Sequence, residues 1–158
     1  MSFAKNRPMI VGLVLLGVAF AVSLTWMLMT NSHRAQRILF FPGQIDTRLQ
    51  GEVRVVPRYG NTEDDVKVLV KEVILGPADL SRTRVVARET EVRALLVRGR
   101  TVYIDLDPRA MFLQEQLSLN LEEAFAAIRR TIGYNFHRIQ DVVITVDGQL
   151  PWQPHFEI

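Results

Sequence analysis

Cysteine is absent from this chain of 158 residues, and histidine occurs only three times. The chain therefore has no disulfide, no thiol nucleophile and no thiolate ligand for a metal ion, and its redox compartment stays open. His33, His137 and His155 lack the spacing of a metal motif such as HExxH, so we expect ordinary structural or exposed histidines.

Recognisable catalytic motifs are also missing. There is no phosphate-binding loop, and neither Ser81 nor Ser118 lies in a nucleophile elbow. The best acidic pair is Asp105 and Asp107, whose spacing would place both carboxylates on one face of a strand, where they could hold a metal or share acid and base roles. A solvated strand end is the favoured alternative, because no histidine or third acid lies nearby in sequence. We expect no enzyme activity, no cofactor and no metal.

Excess charge is small, with a formal net charge of +2. Lys5 and Arg7 account for this excess, so the chain from Asn31 onward is balanced. A domain that coats a polyanion would be expected to carry a marked positive excess. We therefore expect no nucleic acid partner.

The chain does contain one long apolar run, from Met9 to Met29, with no charged side chain between Arg7 and Arg34. As a helix this run would span roughly 31 Å, about the thickness of the hydrocarbon core of a bilayer. Trp26, near its end, suits the headgroup level. The run is long for a cleaved signal peptide, which is the alternative, and favours a signal anchor.

Charge alone does not determine the topology of this helix. Lys5 and Arg7 favour a cytoplasmic N-terminus, but Arg34 and Arg37 follow the helix closely and oppose it. We assign residues 1–8 to the N-terminus, 9–29 to the transmembrane helix, 30–36 to a linker, 37–150 to one domain and 151–158 to a tail. The short linker would hold the domain close to the bilayer.

Hydrophobic patterning in the domain predicts the order ββαββαβ. The strands are predicted at 37–41 and 52–56, in a hairpin at 91–107 that turns at Arg98-Gly99, and at 141–146 before an Asp147-Gly148 turn. In the hairpin, Val102, Ile104 and Leu106 share one face. The pattern indicates an α+β fold with two helices packed on one face of a mostly antiparallel sheet.

Two helices carry apolar stripes that we expect to face the core. The first is capped by Thr62 and stopped by Gly76-Pro77, and the second is capped by Asn120 and stopped by Gly133. Met111, Phe112 and Leu113, between the hairpin and the second helix, are expected to plug the core. The two stripes are Val66, Leu69, Val70, Val73 and Ile74, then Leu121, Ala124, Phe125, Ile128 and Ile132.

The order and spacing of three segments resemble the GerMN domain of sporulation and spore-germination proteins. They are Leu75-Gly76-Pro77 after a helix, Val102 to Leu106 on a strand, and Val142 to Gly148 near the end. The resemblance covers about residues 37 to 150. Many members are lipoproteins anchored through a cysteine or carry tandem copies, whereas this chain has no cysteine and one copy.

The resemblance implies a non-catalytic extracytoplasmic module, similar in topology to the ring-building domains of secretion and sporulation channels. It places the N-terminus in the cytoplasm and residues 31 to 158 outside the cytoplasmic membrane, in the periplasmic space. The implied partners are other envelope or membrane proteins, including further copies of the chain in a ring or collar. A module that binds peptidoglycan or another envelope glycan is the alternative, and a metal-dependent hydrolase using Asp105 and Asp107 is a weaker one.

The tail after Leu150 contains two prolines and two large aromatic residues, Trp152 and Phe156. Proline bars a regular helix or a central strand, so the tail presents these aromatics on a stiff, extended segment. They are candidate partner-binding residues, because buried aromatic side chains often dominate interface energies. The equal alternative is that the tail covers an edge of its own sheet.

Overall fold

The computed structural model describes residues 7–31, 33–46, 48–111 and 121–150. The chain forms two compact units, Met1–Arg34 and Ala35–Ile158. The first contains helix α1, Arg7–Asn31, which extends two residues beyond each end of the predicted span. Its segment Ile10–Met27 has a mean hydropathy of 2.3, and none of it is buried. By length and composition α1 can cross a membrane.

The second unit has the predicted α+β class and element order. β1 begins three residues earlier than predicted and so takes in part of the segment assigned to the linker. A short 3-10 helix, Pro108–Met111, follows β4. The elements are β1 Arg34–Pro42, β2 Leu49–Pro57, α2 Thr62–Leu75, β3 Val92–Arg98, β4 Thr101–Leu106, α3 Leu121–Asn135 and β5 Asp141–Val146.

The strands divide into two sheets, β1-β2 and β3-β4-β5. β3 and β4 are antiparallel, whereas β4 and β5 are parallel. This parallel pair follows from the connection, because a chain that passes through a helix between two strands can return to the same end of the sheet. The sheet is thus mixed at β5.

The core forms between the helices and one face of each sheet. The predicted face of β4 is confirmed, since Val102, Ile104 and Leu106 are all buried. All five predicted residues of α2 are buried, and so are those of α3 except Leu121, which packs against the core while half-buried. Phe41 and Leu39 of β1 also belong to this core.

Besides the ends of α1, β1 and β2, two predicted helix ends and one predicted turn differ from the structure. The N-cap of α2 is Asn61 rather than Thr62, because the Asn61 side chain accepts a hydrogen bond from the backbone N–H of Asp64 at 2.9 Å. The hairpin turns at Gly99-Arg100 rather than Arg98-Gly99, since Arg98 still pairs with Thr101 and Gly99 has a φ of 63°.

The third difference is at the end of α3, which continues past Gly133 to Asn135. The side chain of Asn135 bonds to β1, which favours these last helical residues. Met111, expected in the core, is 43% exposed. Phe112, Leu113 and Asn120 lie outside the described residues.

Candidate interaction surface

The two aspartates of the predicted acidic pair have separate structural partners. The Asp105 carboxylate accepts hydrogen bonds from the Thr145 hydroxyl at 2.7 Å and from the backbone N–H of Gly148 at 2.8 Å. It therefore anchors the turn after β5.

Asp107 lies beyond the end of β4 and is 5% exposed, so the expected solvated strand end is wrong for this residue. Its carboxylate accepts from the backbone N–H of Glu91 at 3.2 Å and from Arg109. Its hydrogen bonds therefore join the start of the β3 region to the end of β4. No group of three or more metal-ligating side chains lies in the part of the chain that the structure describes.

Strand β2 has an inverted polarity pattern, with charged side chains on its inner side and two apolar side chains on its outer side. Glu52 and Arg54 are half-buried, with side chains that are 11% and 17% exposed. Val53 and Val55, which alternate with them, are 63% and 58% exposed. A strand that packs one face on a core ordinarily shows the opposite pattern, with apolar residues inside.

The inward charges of β2 are satisfied by a network of ion pairs. Glu52 Oε1 lies 2.7 Å from Arg54 Nη2, and its Oε2 lies 2.9 Å from Arg82 Nη1. Arg54 also pairs with Glu72 at 3.1 Å and donates to the carbonyl of Gly76 at 2.6 Å. Because Arg54 meets the last carbonyls of α2, its charge faces the negative end of that helix.

This network lowers the pKa of Glu52. Burial is the largest single effect and raises the pKa. Three partners together outweigh it: the hydrogen bond and charge of Arg54, the hydrogen bond from the backbone N–H of Ala78, and the hydrogen bond from the Arg82 side chain. Glu52 therefore stays ionised in its half-buried position. The network holds β2 with its valines toward solvent.

We define face A as the outer surface of the β1-β2 sheet, formed by Ile38, Phe40, Gly51, Val53 and Val55. A Cβ at Gly51 would lie 3.0 Å from Ile38 Cγ2 and 3.6 Å from the ring of Phe40, so these three residues share a side. Val53 and Val55 lie on that side as well, because alternate residues of a strand point the same way. Face A is apolar and open to solvent at the two valines.

The α3 side of face A carries aromatic and cationic groups. Phe40 and Tyr134 stack edge to face, with ring centroids 5.3 Å apart. Arg130 also contacts the ring of Phe40, with its guanidinium carbon 5.3 Å from the ring centroid. A shallow groove beside them is lined by Leu49, Ala126, Arg129, Arg130, Gly133 and Tyr134.

We define face B as the apolar row on the outer surface of the second sheet, formed by Leu96, Tyr103 and Val143. The strand registers place Leu96 opposite Tyr103 and Tyr103 opposite Val143. Leu96 is 51% exposed and Tyr103 is 45% exposed. Polar residues border this row, as polar rims border the apolar centre of many interfaces.

Sequence reasoning selected Trp152 and Phe156, which lie outside the described residues, and did not select either face. Face B has a signal in the sequence, since Leu96 and Tyr103 belong to the outward series of their strands. Face A has no such signal in the sequence. The Glu52 carboxylate can point inward because it pairs with Arg82, and nothing near Glu52 in sequence indicates this pairing with a residue thirty positions later.

The family model for Germane, described as sporulation and spore germination, matches residues 38–150. No match is found among curated proteins. Two solved structures from Bacillus subtilis are similar. One is the first GerMN domain of the sporulation protein GerM, at 13% identity and a TM-score of 0.52, with 73% of this chain and 84% of that one covered.

The other is the tandem of GerMN domains of the same protein, at 13% identity and a TM-score of 0.56. The alignment covers 74% of this chain but only 39% of the tandem. At this identity the two likenesses show a shared fold. The family model spans most of the chain and includes both sheets and both helices of the second unit, so the protein belongs to the Germane family.

Proposed function

We propose that this protein is a non-catalytic, membrane-anchored module of the bacterial envelope that assembles with further copies of itself and with other envelope proteins. Helix α1 is the signal anchor, the N-terminus is cytoplasmic, and the second unit lies on the periplasmic side. Membership of the Germane family and an apolar helix of bilayer length support this placement.

The inverted polarity of β2 is the observation that carries the assembly proposal. Val53 and Val55 are exposed to solvent, whereas the Glu52 carboxylate and the Arg54 guanidinium lie on the inner side of the strand. Fully burying a valine contributes about 1.5 to 3 kcal/mol, so a partner that covers Val53 and Val55 gains an appreciable part of a binding free energy. An exposed apolar face on an ordered sheet is a feature of interaction sites.

Two separate apolar faces fit a head-to-tail arrangement. In such an assembly one patch of each copy contacts a different patch of the next, and the series closes into a ring when the rotation allows. Face A and face B lie on different sheets and share no residue. Anchoring to one bilayer raises the effective concentration of the copies, so weak contacts suffice.

Mixing of two variants tests this arrangement. Val53→Lys places a charge in face A, and Leu96→Lys places one in face B. We expect the full-length protein, reconstituted in vesicles and crosslinked, to give higher oligomers, and each variant alone to give monomers.

An equal mixture of the two variants retains one intact pairing of face A with face B and should give dimers only. Leu80→Lys, at a residue that is 91% exposed on a loop, is the matched control and should behave as the unaltered protein. If the mixture stays monomeric, or if oligomers persist in both single variants, the head-to-tail proposal is wrong.

Envelope-glycan binding is the second candidate function. The groove beside Tyr134 and Arg130 favours it, because sugars stack on aromatic rings and bond to guanidinium groups. Trp152 and Phe156 remain proposed partner-binding residues for either function. Retention of the protein on purified cell-wall sacculi, reduced by Tyr134→Ala or by Trp152→Ala, would support the glycan function, and no retention would remove it.

A further inference from the structure

One end of the second unit gathers the start of β1, the end of β2, the start of α2, the β3-β4 turn and the segment 136–140. β2 returns to the start of β1 because the two strands are paired and joined by a short loop. Segment 136–140 joins the start of β1 to the hairpin turn, since Phe136 lies under the guanidinium of Arg37, 4.7 Å away, and the backbone N–H of Gln140 donates to the carbonyl of Arg100 at 2.8 Å. We call this the tether end.

The tether end carries four of the nine exposed arginines in the described residues of the second unit, and the half-buried Arg37 lies beside them. These five arginines come from all but one of its segments, so the fold rather than a run in the sequence brings them together. Since the chain from Asn31 onward is balanced in charge, an excess here is matched by carboxylates elsewhere. The four exposed arginines of the tether end are Arg58, Arg98, Arg100 and Arg138.

The carboxylates of the tether end offset this charge only in part. Glu63 accepts from the backbone N–H of Val97 at 3.0 Å, and Asp65 accepts from that of Tyr59 at 2.6 Å. Together with Asp64 these residues form the first turn of α2, where the positive end of the helix compensates their charge. Asp141 is the remaining carboxylate, at the start of β5.

An exposed aromatic ring accompanies the arginines. Tyr59, next to Arg58, is 63% exposed. Tyrosine is favoured at the level of lipid headgroups, where its ring meets apolar groups and its hydroxyl meets water. The tether end therefore combines the two kinds of side chain that suit a bilayer surface.

Connectivity brings this end near the bilayer if α1 is the anchor. Only residues 32 and 33 lie between the last residue of α1 and the first residue of β1. Three steps of 3.8 Å limit the distance between these two Cα atoms to about 11 Å, whatever the orientation of the two units. This limit is only slightly longer than the Debye length in physiological salt, about 8 Å. Charges near the start of β1 therefore still act on a membrane surface, and added salt weakens their attraction.

We propose that the tether end binds anionic phospholipid headgroups of the bilayer that holds α1. The arginines supply bidentate donors for phosphate, and Tyr59 inserts at headgroup level. This contact fixes the orientation of the second unit on the membrane. The inference rests on the proposed anchor but not on the assembly through faces A and B.

Hydrogen exchange of the full-length protein in nanodiscs tests the inference. One set of discs contains phosphatidylcholine alone, and the other contains phosphatidylcholine with phosphatidylglycerol. We expect amide exchange in segments 98–101 and 136–140 to be several-fold slower in the anionic discs, and the difference to vanish at high salt.

Charge reversal provides the matched comparison. Arg100→Glu with Arg138→Glu should abolish the slowing. Arg48→Glu with Arg88→Glu makes the same change of charge at exposed sites away from the tether end and should leave the slowing intact.

Each outcome has a distinct meaning. Failure of the protein to insert into either disc would contradict the anchor. Insertion with equal exchange in both discs, or equal loss of the slowing in both double variants, would overturn the lipid contact and leave the anchor standing.

Discussion

The side-chain amide of Asn135, at the end of α3, pairs with both backbone groups of Ile38 in β1. The backbone N–H of Ile38 donates to Asn135 Oδ1 at 3.1 Å, and Asn135 Nδ2 donates to the carbonyl of Ile38 at 2.7 Å. One turn earlier, the Thr131 hydroxyl accepts from the backbone N–H of Phe40 at 2.9 Å. The helix thus covers the edge of β1 that β2 leaves unpaired, and an uncovered strand edge invites aggregation.

Asn135→Ala should lower the free energy of unfolding by about 1 to 3 kcal/mol, because it leaves two partly buried backbone groups without partners. Denaturant unfolding of the second unit within the full-length protein measures this change. Gln140→Ala, at an exposed residue whose described bond is made by its backbone, is the control and should change little. Equal stability of Asn135→Ala and the unaltered protein would contradict the pairing.

Thr131→Val keeps the shape of the side chain but removes the acceptor for Phe40. We expect a loss of about 1 to 2 kcal/mol, since Thr131 is buried and the change removes the acceptor of the Phe40 N–H. We also expect faster aggregation on mild heating, followed by light scattering, because the β1 edge opens more often. Stability unchanged within a few tenths of a kcal/mol would show that the edge is not held by this hydroxyl.

Asp107→Asn should act on stability and not on any catalytic step. The change keeps the volume but removes the charge that meets Arg109 and weakens the bond from the backbone of Glu91. Removing one partner of a charged hydrogen bond costs about 1.5 to 3 kcal/mol. Thermal unfolding checks this value. A stability equal to that of the unaltered protein would contradict a structural role for the Asp107 carboxylate.

Stability should fall in acid partly through Glu52. Its pKa in the folded protein lies below its ordinary value of 4.5, so the carboxylate stabilises the fold fully above that value. The stabilisation is lost as the pH falls through the lowered pKa, because protonation breaks the bonds to Arg54 and Arg82.

Glu52→Gln removes the titrating group. Unfolding in denaturant at several pH values should show a variant that is less stable at neutral pH and loses less stability on acidification than the unaltered protein. Parallel pH profiles for the two proteins would contradict the role of Glu52.

Much of the fold could be predicted from local pattern. The stripes of α2 and α3, the inward series of β4 and the bounds of β5 follow from spacings within single elements. The division into two sheets could not, because it depends on how α3 bonds to β1, across nearly a hundred residues. The cap of α2 was misplaced by one residue because Asn61 and Thr62 are both good capping residues.

The candidate surface was harder to predict than the fold. Glu52 and Arg54 suggest a solvent face, and only the distant Arg82 and the end of α2 make them inward residues. The same inversion exposes Val53 and Val55, so the residues proposed for assembly are those that a pattern alone places in the core. Asp105 and Asp107 show the reverse case, since their spacing suggests chemistry while their bonds are structural.

Crosslinking in native membranes tests the central claim most directly. The protein has no cysteine, so Val53→Cys combined with Leu96→Cys introduces the only thiols of the chain, one in each face. With a short bismaleimide we predict a ladder of crosslinked species in the fraction that resists alkaline extraction. Monomer alone in that fraction, or an equal ladder from Leu80→Cys combined with Leu96→Cys, would contradict an envelope module that assembles through faces A and B.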